Sequence, residues 1–118
     1  MFKLTKQCKL IKTDDFSSVF NFRKRIASSF LVIRFKPNTK LLPRLGLIIA
    51  KKTAKSAVDR NYMRRVLREL FRLNQHEIAP LDLVIQVQKT FLKPDFKALK
   101  KEFDGLLSKL PLKANTLN

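Results

Sequence analysis

The segment SAVDRNYMRRVLRELFR, residues 56–72, constrains this chain more than any other. Projected at about 100° per residue, Val58, Tyr62, Met63, Val66, Leu67, Leu70 and Phe71 gather on one arc, with Arg60, Arg64, Arg68 and Arg72 in an i, i+4 row beside it. A helix of this kind needs an apolar layer to cover its arc, and the two flanking segments provide one. RLGLIIAKK (44–52), opened by Pro43, is a continuous apolar run too short for a helix, and LDLVIQVQ (81–88) follows Pro80 with the same character. Both read as buried strands. Strand, helix and strand make a βαβ unit, whose crossover general rules make right-handed.

The rest of the chain adds four expectations. Thr13 followed by Asp14 and Asp15 suits a helix N-terminus, and Phe16, Val19 and Phe20 continue at helical spacing, predicting a helix from about Asp14 to Phe22. SSFLVIRFK (28–36) is rich in β-branched and aromatic residues and stops at Pro37 and Asn38, which predicts a strand. KPNTKLLP is long enough to join that strand to residues 44–52 as a hairpin. A last helix starts near Pro94, carries Phe96, Leu99, Phe103, Leu106, Leu107 and Leu110 on one face, and ends before Pro111. The order is α-β-β-α-β-α, an α+β chain built as a two-layer α/β sandwich.

Composition excludes several function classes. The 118 residues suit one domain, 1–118, with a basic segment 1–12 and a tail 111–118 expected to be flexible, and the 45% apolar content with ten Phe supplies a core that a disordered basic tail would lack. The net charge is +17, and between residues 23 and 72 fifteen Lys and Arg stand against only Asp59 and Glu69. Such an excess repels itself when compact and calls for a polyanionic partner, with nucleic acid the expected one. No apolar run approaches the roughly 20 residues that span a bilayer, and MFKLTKQCKLIK has no continuous apolar stretch of the secretory kind, so the expectation is a cytoplasmic protein with no membrane partner. The single cysteine, Cys8, cannot form an internal disulfide.

Catalytic chemistry is hard to place on this sequence. His76 is the one histidine, the nine acids are scattered, and no glycine-rich phosphate loop is present, so no catalytic or metal-ligating residue and no small-molecule substrate is expected. The arginine row is either a solvated face or a polyanion surface. The scarcity of nearby acids favours the second, since stacked guanidinium groups repel, and the planar guanidinium takes two phosphate oxygens at once. Lys51, Lys52 and Lys55 extend the row towards the helix N-terminus. Phe16 and Phe20 are either a core stripe or a platform for stacking single-stranded bases, and composition leaves both open.

The stretch RLGLIIAKKTAKSAVDRNYMRRVLRELFR (44–72) closely resembles the signature of the bacterial ribonuclease P protein subunit family. There a glycine-containing strand ending in Lys-Lys leads into an Ala-x-x-Arg-Asn-Arg-x-Lys-Arg-x-x-Arg-Glu helix. KTDDFSSVF, SFLVIRF and DLVIQVQK resemble the family's first helix, first strand and third strand, so the likeness runs from about residue 10 to 110. Tyr62 stands at the third position of the Arg-Asn-Arg motif, Arg64 replaces its lysine, and Ile33 stands where some members have an aromatic residue.

The resemblance implies an accessory, RNA-binding subunit that helps a catalytic RNA remove the 5′ leader from precursor tRNA. The chain alone would be non-catalytic and bind no cofactor, with Mg2+ required by the RNA-based holoenzyme. By the same resemblance, Lys51, Lys52, Arg60, Asn61, Arg64, Arg65 and Arg68 would meet the catalytic RNA, and Phe16, Phe20, Phe30, Ile33 and Lys89 would line a cleft for the single-stranded leader. It also implies a left-handed βαβ crossover. The residues alone leave two alternatives: a structural ribosomal RNA-binding protein, and a DNA-binding module that places the arginine helix in a groove.

Overall fold

The computed structural model describes residues 13–39 and 42–111. Segments 1–12 and 112–118, with Cys8 and the flanks expected to be flexible, lie outside the described residues. The elements are α1 (Thr13–Phe22), β1 (Lys24–Ala27), β2 (Leu31–Pro37), β3 (Arg44–Ile48), α2 (Ala57–Asn74), β4 (Leu81–Val87) and α3 (Phe96–Ser108), with short 3-10 turns at Gln75–Glu77 and Lys93–Asp95. The order is the expected one with one strand added.

That strand, β1, has the sequence KRIA and a single half-buried side chain, Ile26. Its charges suit an exposed sheet edge and hide it from a search for apolar runs. Residues 28–30, expected to begin a strand, instead form the turn between β1 and β2, closed by Ser28 N donating to Leu31 O at 2.8 Å. Arg23 links α1 to β1 at φ 66° in the left-handed region.

The sheet order is β1-β2-β4-β3, with β3 parallel to β4 and the other pairs antiparallel. The hairpin expected between β2 and β3 does not form, because β4 lies between them. Burial explains the choice: six of the seven β4 residues are buried, so β4 takes the centre and β3 an edge. A buried ion pair pins that order. Asp82, 6% exposed at the start of β4, accepts from Arg44 Nε at 2.8 Å and Nη2 at 2.7 Å in β3, and from Asn38 Nδ2 at 2.9 Å just beyond β2. One carboxylate thus ties three strands together through charge-assisted hydrogen bonds.

Strand alternation gives the sheet two faces. Leu31 and Ile33 of β2, Leu45 of β3, and Leu83, Ile85 and Val87 of β4 meet Met63, Leu67, Leu70 and Phe71 of α2 and Leu99, Phe103 and Leu106 of α3 in the main core. This is the expected two-layer packing. On the other face α1 places Val19 against Val84, with Phe16 and Ile48 beside them, in a smaller core. Val58 departs from the expected arc and is 74% exposed, because its place in the first turn of α2 lies beyond the sheet-facing stripe.

Candidate nucleic-acid interface

Helix α2 begins where Ser56, in extended conformation, caps it by accepting a hydrogen bond from Asp59 N at 3.3 Å. Once Met63, Leu67, Leu70 and Phe71 are buried, helical spacing leaves Asn61, Arg64, Arg65 and Arg68 sharing one outward side. Arg65 and Arg68 are exposed; Arg64 is half-buried and donates to Asn61 Oδ1 at 3.0 Å. Arg72, at the far end of the row, is paired with Glu69. That hydrogen bond holds the Glu69 carboxyl below its ordinary range and raises Arg72.

Arg60 does something else. Its Nη1 donates to Ala54 O at 2.8 Å and to Lys55 O at 2.9 Å, folding the guanidinium back onto the loop between β3 and α2. The same loop is held by Thr53 N and Ala54 N donating to Ala50 O, and by Thr90 Oγ1 donating to Thr53 O at 2.6 Å. Ala54 is buried, while Lys51, Lys52 and Lys55 are exposed. The clamp therefore presents three ammonium groups at the N-terminal end of the arginine side, where helix N–H groups also favour anions.

A second cationic surface lies on the α1 face of the sheet. Alternation along β2 turns Leu31, Ile33 and Phe35 to the main core and Arg34 and Lys36 to α1. The Arg34 guanidinium sits over the Phe20 ring, 4.8 Å from its centroid, and donates to Gln86 Oε1 at 2.6 Å. Lys36 donates to Ser18 Oγ. Arg25 is the direct cross-strand partner of Arg34. Like charges opposite each other in an antiparallel pair repel, so an anion here is favoured.

The five residues expected to line one cleft are divided by the structure. Phe16 is half-buried and Phe20 is 37% exposed, both on α1. Ile33 is fully buried on the opposite face of the sheet, so it cannot line an open cleft. Phe30 is 6% exposed and packs edge-on against Phe91, at 6.1 Å between centroids, inside the main core. Lys89 is exposed at the end of β4, with its ammonium 5.1 Å from the centre of the Phe30 ring. Sequence reasoning missed Arg34, Lys36 and Gln86; the period of two along IRFK was the signal that would have found the first two.

Glu102 of α3 braces the Lys89 neighbourhood. It accepts from Ser29 Oγ at 2.6 Å and from Phe30 N at 3.0 Å. Partial burial opposes its ionisation, but hydrogen bonds from Ser28, Ser29 and the Phe30 amide, with the charge of Lys89, outweigh that and hold the carboxyl below the usual range. Among the described residues no three His, Cys, Asp or Glu side chains converge as a metal site, and no helix is long and apolar enough to cross a membrane.

The sequence model of the family described as Ribonuclease P matches residues 4–111. The chain is 38% identical over 102 residues to the ribonuclease P protein component of Chromobacterium violaceum, covering 86% of this chain and 84% of that one. The chain belongs to the ribonuclease P protein family. A second ribonuclease P protein component, from Photorhabdus laumondii, is 42% identical over 101 residues, covering 86% of this chain and 85% of its own. The solved ribonuclease P protein from Thermotoga maritima superposes with a TM-score of 0.74 at 25% identity, covering 87% of this chain and 97% of that one. That from Staphylococcus aureus shares the fold, with a TM-score of 0.74 at 22% identity over 86% of this chain and 93% of its own. As a member of the ribonuclease P protein family, the chain is an accessory subunit of a ribonucleoprotein endoribonuclease acting in tRNA 5′ processing.

Proposed function

We propose that this subunit works in the cytoplasm with its two cationic surfaces divided between two ribonucleic acids. The side of α2 bearing Asn61, Arg64, Arg65 and Arg68, with Lys51 and Lys52 on the clamped loop, binds the catalytic RNA. The α1 face takes the single-stranded 5′ leader of precursor tRNA, and Lys89 lies beside the leader's path. The observation that carries this reading is the Phe20–Arg34 pair: an open aromatic ring and a guanidinium held in place by Gln86, on a face separate from the arginine side of α2.

Each group has a stated task. Phe20 and Arg34 stack on bases, an interaction worth about 1 to 3 kcal/mol per base and indifferent to sequence. Arg25 and Lys36 meet phosphates, while Phe16 supports α1 on the sheet. Phosphodiester hydrolysis belongs to the RNA and to magnesium ions that the RNA holds; the protein fixes the leader so that the scissile bond stays in register.

The test reconstitutes the chain with its cognate RNA. At low magnesium, adding the chain restores 5′ maturation, and Phe20→Ala weakens leader-bearing precursor while leaving mature tRNA affinity unchanged. Absence of stimulation across a magnesium series refutes the assignment, and equal loss for precursor and product refutes the role of Phe20.

A further inference from the structure

A third cationic surface lies on α3. The buried Leu99, Phe103 and Leu106 fix which side of that helix meets the sheet, and helical spacing then turns Lys97, Lys101 and Lys109 outward, with Lys93 on the turn before them. All four are exposed, and among the described residues none makes an ion pair. The acid on this side, Asp104, is held by Lys100 at 2.9 Å. Lys93, Lys97 and Lys101 recur every four residues, about 6 Å apart along a helix, and like charges at that spacing weaken a helix standing alone. What lies between the lysines is small. Ala98, Gly105 and Ser108 share the exposed side, and a β-carbon added at Gly105 would meet nothing within 4 Å. Glycine in a helix interior is less favourable than alanine, so the fold itself gains nothing from it; the missing side chain leaves room for a partner to come close.

The row offers ammonium groups with no ring or carboxamide among them; Phe96, 38% exposed, stands to one side, roughly 100° around the helix from Lys97. Ammonium groups meet phosphates and read no base, and a lysine is a flexible point charge that follows a phosphate without demanding one geometry. That chemistry fits the backbone of double-helical RNA, which is recognised by shape and by phosphate contacts. The place of the row points to the source of that RNA. Helices α2 and α3 pack on the same face of the sheet and adjoin along a groove lined by Asn74 and Glu77 on one side and by Lys100, Asp104 and Ser108 on the other. The lysines therefore belong to the helix layer that carries Arg65 and Arg68, on the far side of the sheet from α1. We propose that the lysine row of α3 docks on a double-helical segment of the catalytic RNA, as a contact separate from that of the α2 arginines. The proposal rests on the catalytic-RNA reading of α2 and adds a second anchor to it.

The test titrates the full chain with its cognate catalytic RNA across a salt series. Lys97→Gln and Lys101→Gln together lower the log–log slope by about two, one for each lost phosphate contact, and leave the ratio of precursor to mature tRNA affinity in the holoenzyme as in the native chain. Acetylation of lysines, read by mass spectrometry, locates the contact without substitutions: the catalytic RNA alone protects Lys97 and Lys101. Protection that begins only when precursor tRNA is added assigns the row to the substrate and overturns the proposal. Labelling in the holoenzyme equal to that of the free chain overturns it as well, whether the row is solvated or open to an acidic protein. Arg68→Ala separates this proposal from the reading beneath it. If Arg68→Ala lowers the slope and the lysine pair does not, the α3 contact alone fails; if neither changes the slope, the catalytic-RNA reading of α2 fails with it.

Discussion

Arg60 offers the sharpest test of how the cationic surface is built, because its motif position implies an RNA contact and its geometry shows a clamp. Its two hydrogen bonds, at 2.8 and 2.9 Å, join a charged donor to loop carbonyls. Bonds of this kind contribute about 1.5 to 3 kcal/mol each when well shielded, and a half-exposed guanidinium over a surface loop retains about a third of the pair's total, so Arg60→Ala should cost the loop about 1 to 2 kcal/mol. Arg60→Lys keeps the charge but not the fork, and should recover only part of that.

Amide hydrogen exchange on the free protein reads the clamp directly. Thr53 N and Ala54 N both donate to Ala50 O inside the loop, so a loss of about 1 to 2 kcal/mol should speed their exchange roughly 5- to 30-fold while the centre of α2 is unchanged. Arg68→Ala, with its side chain exposed, should leave those amides alone. In RNA binding, Arg60→Ala and Lys52→Ala should couple by more than about 0.5 kcal/mol in a double-mutant cycle, since one sets the position of the other. Unchanged exchange, a lysine variant that binds RNA as well as the native chain, and additive single effects would together show that Arg60 is a phosphate contact and not a clamp.

Ile33→Ala should lower stability by about 2 to 4 kcal/mol in denaturant titration, as expected of a wholly buried side chain, without altering the ratio of precursor to mature tRNA affinity. Arg23→Gly should stabilise the free protein by about 0.5 to 1 kcal/mol, relief of left-handed strain exceeding the added freedom of the unfolded chain. Because the folded state lowers the Glu102 pKa, its contribution is present above the ordinary glutamate range and fades as pH falls through and below about 4.5; Glu102→Gln should therefore flatten the acid limb of the stability curve, and a limb of unchanged steepness would count against the brace.

Helices α1, α2 and α3 were legible because a period of 3.6 survives in one dimension, sharpened at α2 by the Ser56 cap and at α3 by Pro94 and Pro111. The strands were less so. KRIA offers one apolar residue among charges, and nothing local says that β4 will insert between β2 and β3; that depends on which strand buries most and on Asp82, whose partners Asn38 and Arg44 are more than thirty-five residues away. The site shows the same division. The exposed cations of α2 followed from helical spacing, but the role of Arg60 depends on loop carbonyls that no side-chain pattern reports. Ile33 was placed in the cleft by family resemblance, whereas its alternation with Leu31 and Phe35 puts it in the core and turns Arg34 outward.

The distribution of the few acids explains how a chain this basic holds a defined surface. Asp82 joins three strands, Glu102 braces the β1–β2 turn against α3, and Asp104 pairs with Lys100 on α3 itself. On α2, Glu69 is occupied by Arg72, and Asp59 lies in the first turn, where a negative charge suits the helix N-terminus. Each of these carboxylates is positioned to stabilise an element or a junction between elements, and among the described residues no ion pair involves Arg65, Arg68, Lys51 or Lys52. Neutralising those four from within would ease the repulsion of the free protein and, on the proposed reading, weaken its hold on phosphate. The scaffold instead commits its negative charge to topology, and on the proposed reading the repulsion that remains is relieved by RNA, so that binding and relief of repulsion are a single event.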